Sequence, residues 1–366
     1  MKVAIITFHG AHNYGAVLQA YALQQYILSL DIECKIINYR SKSQRDFNSL
    51  YPKRNGIKSV IKNLLMLKYD KERRRREYKF EDFINNSLCL TDDLYEKEDT
   101  LYELNQEIDV FIAGSDQVWN TTKTADVSTA YFLNFVDDNK KKIAYAVSIG
   151  NAHTSQLLDF CPYIRRFNSV SCRELSAVKI IEGLLNKEVS IALDPTLLVS
   201  GKIFKKLIGK SQFKNYILYY SLDGYNKRFN NVEELKILSK RLNKQVVILT
   251  PEWPKKERSF INVIDAGPID FLTLISNADL ICTNSFHGTA LSISLRKDFW
   301  VLEEPNEFDD RKTSILKQLG LEKRMVKGWD YVNNMELNPI LYDEVYCKLK
   351  LLRIKSDSFL KHSLFE

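Results

Sequence analysis

The chain has 366 residues, 45% hydrophobic and 27% charged, a balance that suits two globular domains with real cores. Its formal charge of +7 favours anionic partners: small anionic ligands, an anionic lipid surface or nucleic acid. A membrane span, a zinc finger, a disulfide framework and a signal peptide find no support. No run of about 18 uncharged apolar residues occurs, the cysteines form no C-x-x-C pair, and the apolar N-terminus stops at polar His9 without a cleavage site.

Taken in chain order, KVAIITF (2–8) is an apolar run of strand length, and AVLQAYALQQYILSL (16–30) shows apolar residues at helical spacing. CKIINY (34–39) completes a β-α-β unit and so predicts a parallel sheet. Residues 55–90 read as a charged helical insertion containing Lys71, Arg73, Arg74, Arg75 and Arg76. That cluster reads either as a solvated helix face or as a contact with membrane phosphates or a diphosphate-linked lipid. The aromatic–basic interleaving of single-strand binders is missing around it, which speaks against nucleic acid. Further strands are expected at 109–115, 142–150, 169–174 and 189–195, then at 216–222, 245–251, 261–265, 279–285 and 299–304. Helices are expected at 231–242, 268–278 and 287–295. Two such alternating series, joined near DPTLLVSGKIF (194–204), predict an α/β chain of two doubly wound Rossmann-like domains with a cleft between them. The expected boundaries are 1–200, 201–325 and a helical or irregular tail at 326–366. Most of the six cysteines are expected to act as small buried hydrophobes.

In open parallel sheets, ligands sit beyond the carboxyl ends of the strands, and four polar clusters fall there. In FHGAHNYGAVLQ, Gly10 and Gly15 permit close backbone approach, a helix N-terminus follows, and Asn13 and Tyr14 offer contacts to sugar hydroxyls. His9 and His12 read equally as ligand contacts and as turn residues. In AGSDQVWN (113–120), Ser115, Asp116, Gln117 and Asn120 crowd beside Trp119, whose indole face suits a sugar ring; a capping Ser/Asp with a core Trp is the plainer alternative. In SCRELS (171–176), Arg173 is placed to grip a carboxylate or phosphate, or to make a surface pair with Glu174. In LICTNSFHGTALSISL (280–295), Ser285 is an expected N-cap, and His287, Gly288 and Thr289 lie in the first turn, a ready phosphate site carrying a proton shuttle. Asp194, Asp309, Asp310 and Arg311 are lesser candidates, and the five histidines are too dispersed for an evident metal site.

NYGAVLQAYAL, GSDQVWN, YAVSIG, SCRE, LDPTLL and TNSFHGT, in this order, resemble the polysaccharide pyruvyl transferase family, from about residue 1 to residue 325. The resemblance implies a GT-B-like fold, an acceptor side in the N-terminal domain and a donor side in the C-terminal one. It implies phosphoenolpyruvate as co-substrate, no cofactor, no metal, and a hydroxyl-rich acceptor such as a sugar or lipid-linked oligosaccharide. A cytoplasmic enzyme, peripheral at the inner membrane face if the acceptor is lipid-linked, would follow. Arg173 matches the arginine of the family's S-x-R-[DE] motif, implying donor binding, and His287 the histidine of its [RS]-x-H-[GA] motif, implying catalysis. Some members carry a second donor arginine two residues before that histidine. Ser285 stands there in this chain, so Arg311 is expected to supply the cation. His287 and Arg173 would then be catalytic with Asp116, which orients or deprotonates the acceptor. Donor contacts are expected from Arg173, Ser285, His287, Gly288, Thr289 and Arg311. Acceptor contacts are expected from Asn13, Tyr14, Ser115, Asp116, Gln117, Trp119 and Asn120. The residues alone leave two rivals: a GT-B glycosyltransferase using a nucleotide sugar, and a non-catalytic glycan-binding relative. They do not specify the oligomeric state.

Overall fold

The computed structural model describes residues 1–50, 63–64, 66–122, 128–222, 231–249, 257–303, 310–326, 329 and 338–366. Asp309, residues 55–62 of the expected insertion and the ends of the strands expected at 245–251 and 299–304 lie outside the described residues.

The apolar runs form twelve strands in two six-stranded sheets among the described residues. The first sheet contains β1 (Lys2–Ile6), β2 (Glu33–Ile36), β3 (Val110–Asp116), β4 (Lys141–Val147), β5 (Ser169–Cys172) and β6 (Ser190–Ile191). The second contains β7 (Tyr216–Tyr220), β8 (Gln245–Leu249), β9 (Phe260–Val263), β10 (Leu280–Thr283), β11 (Phe299–Leu302) and β12 (Met325–Val326). Every pairing is parallel. Helices on both faces bury such sheets, which is why β3 and β7 are covered along their whole length and read as continuous apolar runs.

The longer helices are α1 (Tyr14–Leu28), α2 (Asp70–Ser87), α3 (Leu175–Leu185), α4 (Val232–Leu242), α5 (Pro268–Asn277), α6 (Phe286–Ser294), α7 (Asp310–Leu319) and α8 (Tyr342–Phe365). Their ends follow from local chemistry. Asn13 caps α1 through its side-chain oxygen, 2.9 Å from the Gly15 amide. Asn186 and Asn243 end α3 and α4 at φ 53° and 50°, a left-handed conformation that asparagine adopts more readily than most residues.

Strand order positions the site. The first sheet runs β2-β1-β3-β4-β5-β6 and the second β12-β11-β10-β7-β8-β9. The connection from β1 runs outward to β2, and the one from β2 crosses back past β1 to β3 and onward to the other edge, so the first topological switch lies between β1 and β3. By the same reasoning the second lies between β7 and β10. Ligand crevices of doubly wound sheets open at the carboxyl ends of such pairs.

The chain divides into two compact units, one of residues 1–70, 80–199 and 351–366, the other of residues 71–79 and 200–350. Within the first, the Arg353 guanidinium of α8 donates to the Leu197 and Val199 carbonyls at 2.7 and 2.8 Å. Within the second, Arg75 and Lys79 of α2 pair with Asp265 and Asp270 at 2.6 and 2.7 Å. Several strands are shorter than expected: β5 stops at Cys172, β10 at Thr283, and 189–195 contributes only two residues. The polar residues beyond these ends turn the chain away from the ladder and become site residues. The cysteines divide evenly, correcting the expectation that most are buried: Cys34, Cys172 and Cys282 are buried, Cys161 is half-buried, and Cys89 and Cys347 are exposed.

Candidate active site

In the second unit, β7 and β10 end together. The Asn284 side chain ties them, accepting from the Leu222 amide at 2.9 Å and reaching Ser221 Oγ at 3.4 Å. Ser285 then caps α6 as expected: its Oγ accepts from the Gly288 amide at 3.3 Å. His287 follows in the first turn, buried, with its ring edge-on to Phe286 at 5.1 Å. The Arg311 guanidinium lies 5.9 Å from the centre of the Phe286 ring, so the cation expected from α7 stands beside this turn.

Sequence reasoning missed its neighbour Lys312. This lysine is only 5% exposed, and its ammonium donates to the Asn284 carbonyl at 2.8 Å. The signal was legible: Arg311 and Lys312 occupy the first turn of α7, where the helix dipole disfavours cations. Positive charge at such a position costs helix stability and suggests an anionic partner.

Two donor expectations need correction. Gly288 was expected to admit a ligand, yet a Cβ there would fall 2.5 Å from Thr283 Oγ1 and 2.9 Å from Tyr220 Cδ1. Its small size serves the seating of α6 against the strand ends. Thr289 is fully buried and its hydroxyl donates to the Ser285 carbonyl at 3.0 Å, so it braces the turn.

In the first unit, Thr7 Oγ1 donates to the Ser115 carbonyl at 3.0 Å, joining the ends of β1 and β3. Gln19 of α1 donates to the same hydroxyl at 2.8 Å. Asp116 follows at φ 79°, a left-handed conformation strained for a residue with a side chain. The Arg173 guanidinium meets Asp194 at 2.6 Å, Asp116 at 3.4 Å and Glu174 at 3.9 Å. Burial works to lower its pKa, but the three carboxylates outweigh this and raise it. A phosphate ligand would have to displace Asp194 or Asp116 to pair with this guanidinium, against surrounding negative charge. Arg173 therefore fits a role holding Asp116 better than the expected grip on the donor. The plainer alternative of a surface pair is also wrong, since its side chain is 2% exposed.

The expected acceptor residues separate by environment. Trp119 is fully buried, stacked on Phe132 with centres 5.4 Å apart, edge-on to Phe167 at 5.4 Å, and its Nε1 donates to the Tyr131 carbonyl. It has no face left for a sugar, and the core reading holds. Ser115 is likewise buried and donates to the Ala146 carbonyl at 2.7 Å, so neither is an acceptor contact. Tyr14 is buried with its ring 5.1 Å from Phe80. Asn120 donates to Gln117 at 2.7 Å and accepts from Thr122, shaping the turn after β3. Asn13 is exposed but spends its oxygen on the helix cap; Gln117 keeps partial exposure at the switch, whereas Asp116 is buried, its side chain 12% exposed.

At the β1–α1 turn His12, read from the sequence as either a ligand contact or a turn residue, is joined by two residues the sequence did not single out, Arg40 and Glu81. His12 Nε2 lies 2.8 Å from Glu81 Oε1, and Arg40 donates to both Glu81 oxygens at 3.0 and 2.9 Å. Burial pushes the Glu81 pKa up, but the hydrogen bonds from His12 and Arg40 win and bring it down to about 2. His9 differs: burial, then the nearby Arg40 charge, lowers its pKa to about 4, and its nitrogens face the Thr7 carbonyl and the Asn38 amide.

Known structures share this architecture. A protein of Listeria monocytogenes assigned as a UDP-N-acetylglucosamine 2-epimerase is 11% identical, with 97% of this chain and 90% of that one covered and a TM-score of 0.53. The Staphylococcus aureus protein MnaA, solved with UDP, is 13% identical, with 98% and 90% covered and a TM-score of 0.50. At these identities the likeness is one of fold, and the fold class is α/β and GT-B-like, as the sequence led us to expect. A comparison with curated protein sequences finds no match. The model of one family, polysaccharide pyruvyl transferase, matches residues 13–305, and with most of its length so matched the chain belongs to that family.

Proposed function

We propose that the chain transfers pyruvate from phosphoenolpyruvate to a sugar of a bacterial surface polysaccharide precursor, forming a ketal and releasing phosphate. The observation that carries this reading is the second unit's switch point, where a helix N-terminus, His287, Arg311 and the buried Lys312 gather at the ends of β7 and β10. A compact, multiply charged phosphate ester suits such a site: backbone N–H groups and two cations neutralise it, and an imidazole beside them handles protons. Family membership supports the class of reaction.

In the proposed chemistry His287 protonates the methylene carbon, which makes the adjacent carbon electrophilic toward a sugar hydroxyl. Arg311 and Lys312 stabilise the phosphate as it departs, and a second hydroxyl closes the ketal. Asp116, braced by Arg173, binds and orients the acceptor through its hydroxyls, with Gln117 beside it. Protons balance: of the two lost by the diol, one ends on the new methyl group and one on phosphate. A lipid-linked acceptor, and with it a cytoplasmic enzyme held at the inner membrane face, belongs to the same proposal.

The test is phosphate release from phosphoenolpyruvate in the presence of nitrophenyl sugars or lipid-linked glycans. Wild-type release dependent on acceptor, lost in His287→Ala, is the expected result. A second reading draws on the UDP named with a structural relative, namely transfer from a nucleotide sugar. Thermal stabilisation by UDP-sugars but none by phosphoenolpyruvate would favour it.

A further inference from the structure

We infer that His12 is the catalytic base that takes the proton of the attacking sugar hydroxyl, with Glu81 orienting its ring and Arg40 clamping Glu81. The inference rests on the reading above in one respect: a hydroxyl of an acceptor attacks the donor.

Three separate stretches build this group. His12 comes from the β1–α1 turn, Arg40 from the segment after β2, and Glu81 from α2, 69 residues from His12 and 41 from Arg40. Their side chains are 13%, 17% and 32% exposed, enclosed enough to be ordered and open enough to meet a substrate. Each contact restricts the next. Gly10 gives Arg40 its room, since a Cβ there would stand 3.0 Å from Arg40 Nε. Arg40 holds both oxygens of Glu81, and the His12 ring rests 5.3 Å from Phe80.

Glu81, ionised at neutral pH, stabilises the tautomer with the proton on Nε2 and makes Nδ1 the basic atom. The same pairing steadies the imidazolium once a proton arrives, which is the logic of a carboxylate–histidine dyad. The turn that carries His12 follows β1, at the switch point where the first sheet's crevice opens. His9, three residues earlier, shows the contrast: fully buried and held neutral, it is built for packing.

In the step itself the acceptor O–H bond breaks and its proton moves to His12 Nδ1. The oxygen's electron pair forms the new C–O bond to the donor carbon, whose former double-bond pair has taken up a proton in the step proposed above. His12 then returns its proton to departing phosphate or to water.

The experiment measures kcat and both KM values for wild type, His12→Ala, His12→Gln and Glu81→Gln, with and without added imidazole. We expect His12→Ala and His12→Gln to lower kcat by about 10²–10⁴-fold with donor KM unchanged. Imidazole should restore part of the activity of His12→Ala, where the ring has left space, and none to His12→Gln. Glu81→Gln should cost about 10–100-fold. A wild-type kcat in His12→Ala, or a loss that imidazole does not relieve, overturns the assignment. Phosphate release by the wild type tests the donor separately. Should the chain use UDP-sugars instead, the same variants and rescue are read on that reaction, so the two failures are distinct results.

Discussion

His9 and Trp119 show how burial decides what a side chain does. His9 has a folded pKa of about 4 against the ordinary 6.5, so between those values the unfolded chain binds a proton that the folded chain refuses. Stability is therefore whole above that window and falls as pH drops through it, by about 3 kcal/mol for this group. Thermal melts should show this loss, and His9→Gln should flatten it; an unchanged pH curve in the variant would count against a neutral His9. Glu81 works further down, its contribution present above about 4.5 and lost toward about 2. Trp119→Ala should destabilise the chain by about 3–5 kcal/mol, with acceptor KM unaltered in the folded fraction. A raised acceptor KM without loss of stability would restore the sugar-stacking role. At this scale the sequence was only half legible. A tryptophan among polar residues looks the same whether it stacks on a sugar or on Phe132, because the partner lies 13 positions away in the chain and the contact is tertiary. The dyad was hidden for the same reason, since nothing local to His12 indicates Glu81.

Helix starts were the most readable elements, because capping is local chemistry. The strand-to-helix switch at Asn284–His287 was visible from residue type alone, with Ser285 at the cap. What the pattern missed was the function of α7, whose first turn carries two cations against the dipole. If that turn binds the donor, Lys312→Gln should raise donor KM about tenfold with a smaller change in kcat, and Lys312→Arg should recover part of it. An unchanged donor KM would leave Lys312 as a brace for the Asn284 carbonyl. Gly288→Ala tests the seating of α6. The added methyl meets Thr283 and Tyr220, so both stability and kcat should fall, the former by about 1–3 kcal/mol. Short edge strands were least readable: β6 and β12 have two residues each, too few for any periodicity.

For the whole molecule, alternating strands and helices were enough to give parallel sheets, but strand order was not written in any one segment. The orders β2-β1-β3 and β10-β7-β8 set both switch points, and each gathers polar residues from distant stretches. Family membership narrows the chemistry to group transfer in polysaccharide assembly; donor and acceptor rest on the residues. The most direct measurement follows isotopically labelled phosphoenolpyruvate by NMR in the presence of a glycan acceptor. Label should appear as a ketal carbon on the glycan, one equivalent of phosphate being released for each, and His287→Ala should abolish both. Label remaining in phosphoenolpyruvate while a UDP-sugar is consumed to extend the same glycan would contradict the proposed reaction.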